Sequence, residues 1–210
     1  MSTYAAVAQE VTDRLNRDDC TPQLIAYFVA EATRQIQRDV HLPSTEKSRL
    51  ILAQGPVTFV SVPDDLLEVI DLYAGLADTG PPRALDRMAF RQLSAISDFS
   101  HPHAYARLGN VFQIRGAVPT GGSILITYYG QATPLVAPTD SNELTSAAPD
   151  LLVYGALAFA GDHFEHPNAQ AWLQRYQAIL TSVQSDQIRL DNTGGPTAIQ
   201  SPYHNAWSYE

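Results

Sequence analysis

PDLLVYGALAFAGDHFEHPNAQAWLQRYQAILTSVQSDQ, residues Pro149 to Gln187, reads as two helices folded back on each other. Leu151 to Ala160 is apolar throughout, with small residues at Gly155, Ala156, Ala158 and Ala160, so other elements should close on it from more than one side. The second half instead spaces Trp172, Tyr176, Ile179 or Leu180 and Val183 at the helical period, with Gln174, Arg175, Gln177 and Gln184 between them. That pattern predicts an amphipathic helix laid on the first. Gly161 to Asn168 supplies the turn, because a residue before proline, here His166, is pushed away from helical geometry.

Working outward, an earlier helical pair precedes this one. Tyr4, Val7, Val11 and Leu15 form one stripe, predicting a helix over about Thr3 to Asn16. Thr21 stands where an N-cap belongs and Pro22 at the first helical position, and Leu24, Ile25, Phe28, Ala32 and Ile36 carry the stripe to about Val40. Between the pairs the period changes. Ser48 to Gln54, Val57 to Val62, Leu67 to Tyr73, Ala104 to Leu108, Val111 to Arg115 and Ser123 to Tyr129 are short strands punctuated by turn residues, and a short helix is expected over Asp86 to Ala95. The last two strands, separated by Gly116 to Gly122, suggest a hairpin with a long loop.

The expected fold class is therefore α+β: a mainly helical body, with a small antiparallel sheet and short helix inserted at about 48–130. Residues 1–190 form this body. Residues 191–210 form an extended arm, where Gly194, Gly195, Pro196 and Pro202 break any helix while Ile199, Tyr203, Trp207 and Tyr209 are costly to leave in water.

The 210 residues are 45% hydrophobic, enough to bury a core, and no apolar run approaches the roughly 20 residues of a membrane helix. A soluble protein without a secretion signal or membrane partner is expected. Cys20 is the single cysteine, so no internal disulfide can form. The net charge is −9, and no Lys or Arg lies between Arg115 and Arg175, a gap that holds Asp140, Glu143, Asp150, Asp162 and Glu165. Such a surface repels phosphate, which argues against ordinary duplex binding but suits a wall past which DNA slides.

Residues that carry chemistry elsewhere read here as structure. Asp162 to His166 holds two histidines and two acids, yet the histidines are three apart rather than four and phenylalanine follows the first, so the helical zinc pattern fails. His101 and His103 sit in a short polar loop. Asp64, Asp65 and Glu68 follow Pro63 as turn chemistry does, and Asp18 and Asp19 should disfavour a Cys20 thiolate by like charge. No catalytic, cofactor-binding or metal-binding residues are assigned, and the chain is not expected to be an enzyme.

The series Val111-Phe112-Gln113-Ile114, then Gly121 through Tyr129, Pro134-Leu135, Asn142-Glu143-Leu144, Pro149 through Leu157, and finally Trp172 and Tyr176 resembles the head-to-tail adaptor (connector) proteins of tailed bacteriophages. The likeness covers about Thr3 to Gln187 and rests on order and spacing. It implies a structural virion protein at the head-tail interface, assembled in the host cytoplasm. Identical copies, commonly twelve, would form a ring beneath the portal protein, extend the DNA channel and offer a platform to the tail, a stopper or a nozzle protein. DNA would pass without sequence-specific contact. The five carboxylates above become candidate channel-lining residues, and Ile199, Tyr203, Trp207 and Tyr209 candidate partner-binding residues, since aromatic side chains anchor interfaces. Rival readings are a head-completion stopper or tail terminator, and a virion-associated peptidoglycan hydrolase using Asp64, Asp65 or Glu68.

Overall fold

The computed structural model describes residues 2–76, 81–97 and 100–192, the last six of these as helix backbone alone. The described residues fall into two compact units, one within residues 2–4 and 41–147, the other within residues 5–40 and 148–192. The helical pairs at either end of the sequence thus form one unit, and the β-rich stretch between them forms the other.

The helical unit contains α1 (Tyr4–Leu15), α2 (Pro22–Asp39), α5 (Pro149–His163) and α6 (Ala169–Asn192). The stripe of α1 is buried at Val7, Val11 and Leu15, and that of α2 at Ile25, Phe28, Val29, Ala32 and Ile36. Thr21 caps α2 as its position predicts, its hydroxyl accepting from the Leu24 amide at 3.3 Å with Pro22 next in line. α5 is buried over most of its circumference and packs against both α2 and α6. Its glycines allow this. A Cβ on Gly155 would stand 3.1 Å from the Ala32 methyl and 3.3 Å from the Tyr176 ring, and one on Gly161 would stand 2.9 Å from Ala169 Cα. The amphipathic reading of α6 holds as well: Trp172 and Tyr176 are buried while Gln174, Arg175, Gln177 and Gln184 are exposed.

The β-rich unit holds β1 (Glu46–Leu52), β2 (Val57–Ser61), β3 (Leu66–Gly75), β4 (Arg83–Ala84), β5 (Asp86–Arg87), α3 (Phe90–Ala95), β6 (Ala104–Leu108), β7 (Val111–Val118), β8 (Ser123–Gly130) and α4 (Glu143–Ala147). Its strands form two four-stranded sheets, ordered β1-β8-β3-β4 and β2-β7-β6-β5. Leu72, Ile124 and Ile126 of the first share one core with Val60, Phe112 and Ile114 of the second.

Four expectations change here. Of the described residues 43% are helix and 26% strand, so the body is mixed rather than mainly helical. In place of one antiparallel sheet there are two, with β5 and β6 paired in parallel. The reason is burial: β7 and β8 each alternate one buried face along their length, and a lone sheet would leave those apolar faces in water. Nor do β7 and β8 form a hairpin. β7 pairs with β2 and β6, and β8 pairs with β1 and β3. The turn between them is tied by the Gly122 amide to the Pro119 carbonyl at 3.0 Å, and Gly121 adopts φ +81°. Ala53, just past β1, both donates to Gly122 and accepts from Gly121 at 2.8 Å, which draws the chain into the other sheet. The true hairpin is β6-β7, closed by Gly109 and Asn110 with Gly109 at φ +59°. Finally, the helix expected from Asp86 begins only at Phe90, because Asp86 and Arg87 pair with Ala104 and Tyr105.

Candidate functional site

The five candidate channel carboxylates have different local surroundings. Asp140 Oδ2 accepts from the Val136 and Ala137 amides at 2.9 and 2.7 Å, and these bonds hold its carboxyl below the usual range. Glu143, half-buried at the start of α4, accepts from the Thr133 amide at 3.2 Å. Beside it, Asn142 and Thr145 cap each other's amides at 2.9 and 2.8 Å, a reciprocal box that starts this short helix. In the helical unit, Asp150 is exposed at the first turn of α5, and Asp162 and Glu165 are exposed at its other end, about 18 Å away along the helix axis. No single acidic cluster gathers the last three.

The Asp162 to His166 turn is a built helix ending. Glu165 takes φ +48°, and the His166 amide donates back to the Gly161 carbonyl at 2.9 Å, closing the last turn of α5. The His163 ring packs 5.5 Å from Phe28, and His166 stacks on Trp172 at 4.5 Å. Among the described residues no three His, Cys, Asp or Glu side chains are grouped to hold a metal ion, and no helix is long and apolar enough to cross a membrane. His103 Nδ1 lies 2.9 Å from the His101 carbonyl. Asp65 accepts from Lys47 Nζ at 2.8 Å and from the Tyr128 hydroxyl at 3.0 Å, fastening the turn before β3. Cys20 has its thiol pushed up, with burial the larger cause and the Asp19 charge secondary, so charge alone was an incomplete explanation.

Two features escaped sequence reasoning. The first lies in the β-rich unit, where Leu50, Leu125 and Tyr73 stand in one row across β1, β8 and β3. Leu50 and Leu52 are 62% and 68% exposed on β1, an edge strand, and Phe59 is 53% exposed on the edge strand β2. Exposed apolar residues on sheet edges are potential pairing surfaces. The signal was present in Ser48-Arg49-Leu50-Ile51-Leu52, which is too apolar for a strand with only one buried face.

The second is a groove of about 610 Å³ on the helical unit, lined by α2, α5 and α6. Ala158, Phe159, Leu173 and Leu180 give it an apolar lining, and Gln170 and Gln177 add amides. Its wall is braced at Asp39, whose carboxylate accepts from the Tyr176 hydroxyl and from Gln35 Nε2, both at 2.9 Å. Burial, then the bond to Asp39, raises the Tyr176 phenol well above its ordinary range. Tyr154, on another side of α5, receives a 2.8 Å hydrogen bond from Arg14, with the Arg175 guanidinium 5.9 Å from its ring. Ile199, Tyr203, Trp207 and Tyr209 lie outside the described residues.

Apolar residues at open strand edges and an apolar groove on the helices are surface features of the kind that protein contacts use. Residues 2–200 match the family model described as SU10 adaptor protein, and the chain belongs to that family of structural phage proteins. A comparison with curated proteins finds no match.

Proposed function

We propose that this chain is a head-to-tail adaptor whose copies form a ring beneath the portal, extend the DNA channel and present a platform to the tail or a stopper protein. The observation that carries the reading is the family match across residues 2–200. Several properties support it. The net charge of −9 and the gap in positive charge between Arg115 and Arg175 suit a surface that packaged DNA passes without sticking. Asp140, Glu143, Asp150, Asp162 and Glu165 are the proposed lining. Of these, Asp150, Asp162 and Glu165 are the better candidates, because they are exposed and Asp140 is engaged by two backbone amides.

A ring requires a heterologous contact, in which two different surfaces of one subunit meet. The arm, residues 191–210, supplies one such surface through Ile199, Tyr203, Trp207 and Tyr209, docking on the portal or on an adjacent copy. The subunit acts without a cofactor and by assembly rather than catalysis, and its place is the head-tail interface of a virion assembled in the host cytoplasm.

The mass of the assembly, measured with and without portal protein, tests this. A ring, expected to contain twelve copies, should form on the portal. A chain that stays monomeric and does not bind the portal would overturn the reading.

A further inference from the structure

The groove on the helical unit has an apolar lining, and the two charged residues that line it, Asp39 and Asp162, are both negative. Its occupant should therefore be apolar and free of acidic groups along the contact. The Asp39 carboxylate is already engaged by the Tyr176 hydroxyl and the Gln35 amide, which leaves it less able to select a lysine-rich partner. The chain itself contains a segment of the required kind. Residues 193–210 carry Ile199, Tyr203, Trp207 and Tyr209, no Lys or Arg, and a single acid, Glu210. A groove of about 610 Å³ has room for several large side chains, and Gln170 and Gln177 along it can pair with an extended backbone.

Length permits either a return to the same subunit or a reach to another: eighteen residues in extended form span up to about 60 Å, and α6 continues about 12 Å beyond Gln184, the last lining residue, before the segment begins. Assembly favours the second, because a segment seated on another copy supplies the two unlike surfaces that a rotationally closed ring needs.

We propose that the groove between α2, α5 and α6 is the receptor for the C-terminal segment of a second copy of this chain, with Tyr203 and Trp207 as the anchoring side chains. This rests on the ring reading and chooses the neighbouring subunit over the portal as the arm's partner. The contact is apolar, so it tolerates salt that weakens charge pairing.

The test is disulfide trapping in the full chain on a Cys20→Ala background. One variant carries Leu173→Cys in the groove, a second carries Trp207→Cys in the arm, and a third carries both. The first two are mixed with portal protein, oxidised, and the products sized; assembly mass is followed in parallel. A crosslinked pair formed only from the mixture of the two single variants, undiminished at 1 M salt, is the expected result. Tyr203→Ala with Trp207→Ala should raise the concentration needed for assembly by about tenfold or more. An intramolecular crosslink in the double variant with none between copies overturns the proposal in favour of folding back. Rings of normal mass without any crosslink overturn it while leaving the ring reading intact. Absence of rings with monomeric chains overturns both, and the mass measurement tells these cases apart.

Discussion

At Gly155 two opposing magnitudes meet. Replacing a helical glycine by alanine gains about 1 kcal/mol of helix propensity, but the new methyl would lie 3.1 Å from Ala32 and 3.3 Å from the Tyr176 ring. Gly155→Ala should therefore leave stability nearly unchanged. Gly155→Val adds further bulk and should cost about 1–3 kcal/mol or more, read by urea unfolding. Glu165 presents the reverse case: its φ of +48° is a conformation that glycine adopts freely. Glu165→Gly should be stabilising by up to about 1 kcal/mol. Tyr176 carries a pH signature. Its folded-state pKa lies above the ordinary value of 10.0, so its contribution is complete below about pH 10 and is lost as pH rises further. Tyr176→Phe should cost about 1 kcal/mol at neutral pH and flatten the alkaline decline in melting temperature. The small residues of α5 were legible in the sequence because close helix packing demands them. The bond from Tyr176 to Asp39 was not, since it joins residues far apart in the chain and no local pattern records it.

Among the elements, the helices of the two terminal pairs were legible to within a few residues, whereas α3 begins four residues later than expected and α4 was not foreseen. Apolar spacing together with Thr21 and Pro22 marks α2 from within its own sequence. Strands were legible as segments but not as partners. Val111 to Val118 and Ser123 to Gly130 alternate clearly, yet nothing local in them says that they belong to different sheets. That choice is made by contacts with β1, β2, β3 and β6. The β1-β8-β3 layer is fastened by Lys47 and Tyr128 at Asp65. Burial alone would raise the Asp65 carboxyl, but these two hydrogen bonds outweigh it and hold the group below its ordinary 3.8. The stabilisation is present above about pH 4 and disappears as pH falls below that. Because both Lys47 and Asp65 are partly exposed, Asp65→Asn should cost only about 0.5–1 kcal/mol at pH 7. The difference from the unsubstituted chain should shrink below pH 4, as acid titration followed by circular dichroism would show.

For the whole molecule, family membership was legible because order and spacing survive where individual side chains do not carry a motif. The groove was not, since its lining comes from three helices drawn from both ends of the chain. Deletion of Asn192 to Glu210 should abolish ring assembly while leaving the circular dichroism spectrum close to that of the full chain; rings of normal mass after the deletion would rule out an arm-based contact. The split origin of the helical unit also has a consequence in time. During synthesis α1 and α2 leave the ribosome first, but α5, against which α2 packs, follows only after residues 41–147. At ordinary elongation rates that interval is about 5 to 20 s. Throughout it Ile25, Phe28 and Ile36 await their cover, so the nascent chain should engage host chaperones until α5 emerges.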